Sequence, residues 1–248
     1  MKVALLGYGR MGRAVREVAT DRGHAVTAVL DEPENLNGRA ITSEALAGAR
    51  VAIDFSVGEA VLANVRQAAK LGVGMVVGTT GWEADRQAVE STVREAGTAI
   101  VHSPNFSVGV HLFTRLVELA GRLVDGLPEF DVHLREIHHR HKADHPGGTA
   151  RSLAELLVRE IDRKDGWTTE LQSGVPVDPT MLKVSVARVG EVPGVHEVAL
   201  EGPDERIELR HEARSRKGFA LGAVLAAEWI EGRSGVFTMT DLMDDLLT

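Results

Sequence analysis

The sequence predicts an α/β protein in two parts: a parallel sheet covered by helices on both faces, then an α+β part with a mixed or antiparallel sheet. Three observations predict it. Over the first hundred residues, short apolar runs alternate with helical patterns through short links, as in repeated β-α-β units. Those runs are apolar at successive positions, as strands buried on both faces must be. After about residue 107, several strands instead alternate apolar with polar residues, which suits a sheet with one wet face. A chain of 248 residues can bury a stable core without staples.

The elements follow in order. KVALLG (2–7) reads as a buried strand. MGRAVREVATDR (11–22) sets Met11, Ala14, Val15, Val18 and Ala19 on one helical face. AVTAVL (25–30) and VAIDF (51–55) are the next strands. GEAVLANVRQAAKLG (58–72) is a helix with Val61, Val65, Ala68 and Ala69 on one side and Gly72 to end it. GMVVG (74–78), a helix near 82–96 and TAIVH (98–102) complete the first series. Then VGVHLFTRLVELAGRLV (108–124) reads as one long helix and FDVHLREIHH (130–139) as a strand. TARSLAELLVREI (149–161) is a helix with Leu153, Leu156, Leu157 and Ile161 inward. LKVSVARV (182–189), VHEVALE (195–201) and RIELRHEA (206–213) are open-sheet strands, and GFALGAVLAAEWI (218–230) is a very apolar helix.

Composition narrows the function classes. With no cysteines, disulfide and thiolate chemistry are out, a zinc reading is weakened, and a reducing cytoplasm fits. A net charge of −8 makes nucleic acid and anionic membrane poor partners. The apolar run FALGAVLAA (219–227) is too short to span a bilayer, and the opening MKVALLG breaks too early for a signal peptide.

Gly7-Tyr8-Gly9-Arg10-Met11-Gly12 is a G-x-G-x-x-G that follows a predicted strand and opens a predicted helix. Gly7 permits the tight turn, Gly9 lets a pyrophosphate approach the backbone, and Gly12 lets helix and strand pack closely. The helix start offers free N–H groups to that anion. The bland alternative is a glycine turn that binds nothing. Asp31 ends the second strand, nineteen residues after Gly12, where a carboxylate can accept from ribose hydroxyls. Glu32 follows it, and no Lys or Arg comes until Arg39. A 2′-phosphate would face two carboxylates, so NADH is expected over NADPH; Arg10 is the cation that would support NADPH. Gly78-Thr79-Thr80-Gly81 and Ser103-Pro104-Asn105-Phe106 end two further strands, where the carboxyl ends of an open sheet face the ligand crevice. Small residues at the first would let a nicotinamide ring lie against the backbone.

Residues 138–150 read HHRHKADHPGGTA. Adjacent strand residues face opposite ways, so His138 and His139 cannot serve one centre if the strand continues. His139 and His141 are the best metal pair, yet they lack a third ligand in register and no H-E-x-x-H is present; no metal is expected. A solvated basic loop is the composition-based alternative. Proton transfer fits better, because histidine titrates near neutrality and Lys142 is a fixed cation nearby. Gly147 and Gly148 are expected to expose N–H groups at the start of a helix opened by Thr149, a second anion site. The set suits a small dicarboxylate whose C=N or C=C bond takes a hydride at one carbon and a proton at its neighbour. His24 is expected to cap the first helix, His145 to be solvated, and His196 and His211 to be structural.

G-x-G-R-M-G, G-T-T-G, S-P-N-F-S-V-G-V and E-x-H-H-R-H-K-x-D-x-P-x-G-T-A, in this order, resemble dihydrodipicolinate reductase, the 4-hydroxy-tetrahydrodipicolinate reductase of lysine and diaminopimelate biosynthesis. The likeness runs on through SVARVGEVPGVHEVALEG, RHEARSRKGFALGAVLAAEWI and GVFTMTDLM. It implies a Rossmann-like dinucleotide-binding domain over 1–109 and 216–248, and a mixed-sheet substrate-binding and oligomerisation domain over 110–215 that builds a homotetramer. It implies His138 as proton donor and acceptor, Lys142 as a second donor, and His139, Gly148 and Thr149 as substrate contacts. Cofactor contacts are implied for Gly7 to Gly12, Asp31, Gly78 to Thr80 and Ser103 to Phe106. The chain has Gly147 where the family often has Ser, and Glu32 where many members carry a basic residue. Another two-domain amino-acid dehydrogenase and a non-catalytic dinucleotide-binding regulator are the rival readings.

Overall fold

The computed structural model describes residues 1–247. They form two compact units, Met1–Val108 with the segment from Arg216 onward, and Gly109–Ser215. The first unit begins β1 (Lys2–Leu6), α1 (Arg10–Asp21), β2 (Ala25–Leu30), α2 (Ser43–Leu46), β3 (Val51–Asp54), α3 (Gly58–Lys70), β4 (Gly74–Val77), α4 (Arg86–Ala96) and β5 (Ala99–His102). The second unit holds α5 (Val108–Asp125), β6 (Asp131–His138), α6 (Gly148–Glu160), β7 (Gly166–Thr168), β8 (Met181–Arg188), β9 (Val195–Glu201) and β10 (Arg206–Glu212). The chain then returns to the first unit with α7 (Lys217–Ile230), β11 (Gly235–Thr238) and α8 (Met239–Leu247).

The first sheet runs β11-β5-β4-β3-β1-β2, and every neighbouring pair is parallel. The Rossmann-like expectation holds. Its strands bury both faces, which is why their sequences are continuously apolar: Val3, Leu5, Ile53 and Val76 pack against α1, α7 and α8, while Ala4, Leu6, Ala52, Met75 and Ile100 pack against α3 and α4. Each fully buried Leu or Ile stabilises the unit by roughly 1.5–3 kcal/mol relative to exposure. α7 is apolar all round because it lies within that core, with Ala220, Ala223, Val224, Ala226, Ala227 and Ile230 buried.

The second sheet runs β10-β9-β6-β8-β7. β6 pairs parallel with β8 and antiparallel with β9, so the sheet is mixed. α5 and α6 cover it through Phe113, Val117, Leu153 and Leu157 against Val132, Leu134, Leu182 and Val198. Strand β9 departs from its sequence reading. A strand with one wet face was expected, but Val195–Leu200 are all buried, His196 and Glu197 included. Val198 and Leu200 pack in the core with α5 and α6, while Glu197 is approached by the guanidinium groups of Arg135, Arg206 and Arg210, the last at 3.1 Å. The register sets Glu136 beside His196 and His138 beside Arg188.

Candidate active site

The strand order turns at β1: the first crossover leads to β2 on one side, and the next returns to β3 on the other. Ligands of open parallel sheets bind at such a switch point, beyond the carboxyl ends of the strands. A cleft of about 140 Å³ lies there, lined by Gly7, Tyr8 and Gly9 after β1, Leu30, Asp31, Glu32 and Asn35 after β2, and Phe55, Ser56 and Val57 after β3. Gly7 has φ +85°, and a Cβ on it would lie 2.4 Å from the Phe55 carbonyl oxygen. A Cβ on Gly12 would lie 2.2 Å from the Gly7 carbonyl oxygen. At Gly9 a Cβ would meet nothing within 4 Å, and no side chain caps α1. The helix start therefore presents uncapped N–H groups beside open space, which fits the pyrophosphate of a dinucleotide.

The other residues expected to touch cofactor are placed less simply. The Thr79 hydroxyl is buried and donates to Asp54 Oδ1 at 2.9 Å. The Asp54 carboxyl also accepts from the Ser56 N–H and hydroxyl and from Asn64 Nδ2, so it braces the turn that lines the cleft. The space beside Gly78 is filled by the Phe55 ring, which a Cβ there would meet at 2.1 Å, rather than left open for a flat ligand. Ser103 Oγ donates to the Asn105 carbonyl, and the Phe106 ring is buried in the core against Phe55. The side chains of Thr79 and Phe106 are thus engaged inside the protein, and the Thr79 carbonyl also accepts from Trp82 Nε1 at 2.8 Å. Thr80 and Pro104 are exposed.

In the second unit the histidine segment gathers around a residue that sequence reasoning passed over. Glu136 is fully buried. Its Oε2 accepts the Gly147 N–H at 2.8 Å. Its Oε1 lies 3.3 Å from Arg188 Nη2 and 2.8 Å from His138 Nδ1. At 2.8 Å the His138 contact is short enough for a protonated Nδ1 to donate to the carboxylate. Burial alone would push the Glu136 carboxyl up; His138, the Gly147 N–H and Arg188 outweigh it and hold the carboxyl below its usual range. It is ionised at neutral pH. The available signal was E-x-H on an alternating strand, which puts residues 136 and 138 on one face.

Lys142 Nζ donates to Asp144 Oδ1 and Oδ2 at 2.7 and 2.9 Å. Arg188 reaches the Lys142 and Asp144 carbonyls as well as Glu136, tying this loop to the strand. The expected anion site at the start of α6 needs correction, because the Gly147 N–H is already engaged by Glu136; Gly148 remains exposed. A Cβ at Gly147 would sit 2.8 Å from both Glu136 Oε1 and Lys142 Cε, so glycine is what lets these groups close up. β6 ends at His138, and His139 and His141 stand in the loop with ring centroids 5.9 Å apart. His145 is exposed, as expected. The His24 ring does not cap α1; it pairs with Glu228 of α7 at 2.5 Å.

Among the described residues, one group has metal-ligand spacing: Glu136, His138 and His196. Glu136 already holds the Gly147 N–H and the Arg188 guanidinium, which disfavours a dication, and the group reads as a proton site. His196 is buried under the His138 ring, with centroids 5.4 Å apart and neither nitrogen hydrogen-bonded. Burial first, then the charge of His138, pushes its pKa down to about 4, against the opposing pull of Glu136. The folded imidazole stays neutral where the unfolded one takes a proton, so this stability is full above pH 6.5 and lost as pH falls toward 4. The shift corresponds to roughly 3 kcal/mol. In denaturant melts at pH 7 and pH 4.5, His196→Leu should lose markedly less stability on acidification than the unmodified chain.

Residues 1–106 match the family described as dihydrodipicolinate reductase, N-terminus, and residues 109–243 its C-terminus. The chain belongs to the dihydrodipicolinate reductase family. It is 37% identical over 249 residues to a 4-hydroxy-tetrahydrodipicolinate reductase of Christiangramia forsetii, with 99% of each chain covered. It is 37% identical over 267 residues to one of Archaeoglobus fulgidus, covering 98% of this chain and 100% of that one. The fold is also that of a dipicolinate-bound dihydrodipicolinate reductase from Paenisporosarcina sp. TG-14, at TM-score 0.75 and 20% identity over 96% of this chain and 97% of that one. Membership in the dihydrodipicolinate reductase family does not favour the two rival readings. No helix among the described residues is long and apolar enough to cross a membrane.

Proposed function

We propose that this chain reduces 4-hydroxy-tetrahydrodipicolinate to tetrahydrodipicolinate in lysine and diaminopimelate biosynthesis, using NADH in preference to NADPH, with His138 as proton donor. The family match over both units carries the reaction. The imidazole beside a buried carboxylate carries the role of His138. Loss of the substrate's 4-hydroxyl as water leaves a C=C bond conjugated to C=N, and a reduced nicotinamide held by the glycine loop would supply hydride to one carbon of that C=C bond. His138 gives its proton to the neighbouring carbon, so the π pair of the reduced bond becomes the new C–H bond, and solvent returns the proton to the ring. Lys142, His139 and the Gly148–Thr149 backbone hold the substrate carboxylates. The glycine loop from Gly7 to Gly12 holds the pyrophosphate, and Asp31 accepts from the ribose.

The preference for NADH rests on the rim of the cleft. Asp31 and Glu32 line it, and among the described residues no Lys or Arg does. Arg39, the first cation after them, is folded back onto the Pro33 and Glu34 carbonyls. A coupled assay that makes substrate from pyruvate and aspartate semialdehyde with the preceding synthase tests the proposal with each cofactor. NADH should give the higher kcat/KM, and Glu32→Arg should shift the NADPH/NADH ratio upward at least about tenfold, equivalent to ~1.4 kcal/mol. A strong NADPH preference in the unmodified chain would refute this part, and no turnover with either cofactor would refute the reaction.

Assembly as a homotetramer in the cytoplasm belongs to the same proposal. Leu112, Leu116, Leu119 and Leu123 form an exposed stripe along α5, an apolar surface of the kind that self-association covers. Light scattering should return four times the chain mass.

A further inference from the structure

We propose that Glu136 is a positioning residue that holds the His138 ring with Nδ1 inward, leaving Nε2 as the nitrogen that carries the transferred proton. This rests on the proton-donor role of His138 given above. Three observations carry it. Glu136 is fully buried and fixed from two directions, by the Gly147 N–H at 2.8 Å and Arg188 at 3.3 Å, so it cannot follow a moving partner. Its Oε1 stands 2.8 Å from His138 Nδ1, on the same face of β6. On the other side of the ring, Gly194 packs beside Nε2 without a side chain; a Cβ there would stand 2.9 Å from that nitrogen. One nitrogen is thus held against a fixed charge, and the other faces a position where only glycine leaves it free of a side chain.

The chemistry follows the logic of a carboxylate–histidine pair. A carboxylate at Nδ1 selects the tautomer with the proton there, orients the ring, and stabilises the imidazolium before it donates from Nε2. Glu136 loses and gains no bond in the reaction. The other charged or titratable groups at the ring are Arg188 from β8, His196 from β9, and Lys142 with Asp144 from the loop. His196 stacks edge-on without hydrogen bonds, Lys142 is paired with Asp144, and Arg188 is paired with Glu136. Glu136 is therefore the carboxylate in contact with the ring.

Glu136→Gln separates charge from shape, because its amide oxygen can still accept the Gly147 N–H. In this variant kcat should fall by roughly 10- to 100-fold, less than for loss of the imidazole itself. KM and NADH affinity should stay within a few-fold, and the alkaline limb of the kcat/KM profile should move to lower pH. Glu136→Asp should restore part of that limb. Nitrogen-15 NMR of labelled histidine in the unmodified protein gives a readout independent of turnover and of how the variant folds. Neutral His138 should be the Nδ1–H tautomer. An Nε2–H tautomer there, or a folded Glu136→Gln enzyme with unchanged kcat and pH profile, would overturn the inference. If His138→Gln also turned over normally, the fault would lie with the proton-donor role; if only Glu136→Gln did, with the positioning role alone.

Discussion

His138→Gln should lower kcat by roughly 10²–10⁴ while the affinity for NADH stays unchanged. The size follows from what the imidazole does and the selectivity from where it is. A positioned general acid contributes that range because its proton is available at working pH and needs no search of the solvent. The ring belongs to the second unit, with Glu136, Arg188 and His196 around it, whereas the residues proposed for the pyrophosphate and ribose line a cleft in the first. Nucleotide fluorescence titration of the variant should therefore match the unmodified chain while its steady-state rate collapses. A kcat within tenfold of normal would remove His138 from the reaction. Gln keeps the polarity and approximate bulk beside Glu136, which limits any loss from misfolding.

The second large effect is expected at Gly12. In Gly12→Ala the new Cβ would stand 2.2 Å from the Gly7 carbonyl oxygen, far inside contact distance. Gly7 cannot retreat: its N–H donates to the Leu30 carbonyl at 2.8 Å, and the Phe55 carbonyl stands behind its Cα. Either α1 moves off β1 or the loop is remodelled, at a cost of about 2–4 kcal/mol. The same movement displaces the N–H groups offered to pyrophosphate, so NADH affinity should fall by about 100-fold or more. Gly9→Ala makes the contrast. Its Cβ meets nothing in the protein, so the melting temperature should hold, yet it would stand where the pyrophosphate approaches, so affinity should still fall. Equal melting temperatures for Gly12→Ala and the unmodified chain would contradict the packing role given to Gly12.

The parallel sheet was legible because burial on both faces writes itself into sequence: VALL, VAID and MVV leave little other choice. The glycine loop was legible because its spacing answers a geometric demand, seen here as the approach of residue 12 to the carbonyl of residue 7. β11, with four residues, and β7, with three, were missed. Segments so short carry no periodicity, and they are strands because β5 and β8 pair with them. The site was only half legible. The histidines and Lys142 stand out along the chain, but Glu136, Arg188 and His196 meet them through cross-strand register. Register between segments fifty residues apart depends on the assembled sheet. Likewise, Thr79 and Phe106 looked available for a ligand because sequence gives no direction to a side chain after a strand, and packing turned both inward.

The central claim is that the His138 imidazole delivers a proton to a planar dicarboxylate. A crystal structure of the chain with NADH and dipicolinate, a stable planar dicarboxylate, tests it most directly. The expected result places a ring carbon of dipicolinate within about 4 Å of His138 Nε2, with Nδ1 still turned toward Glu136. Dipicolinate bound in the same crystal with Nε2 out of contact, or with the ring reversed so that Nδ1 faces the ligand, would contradict the account.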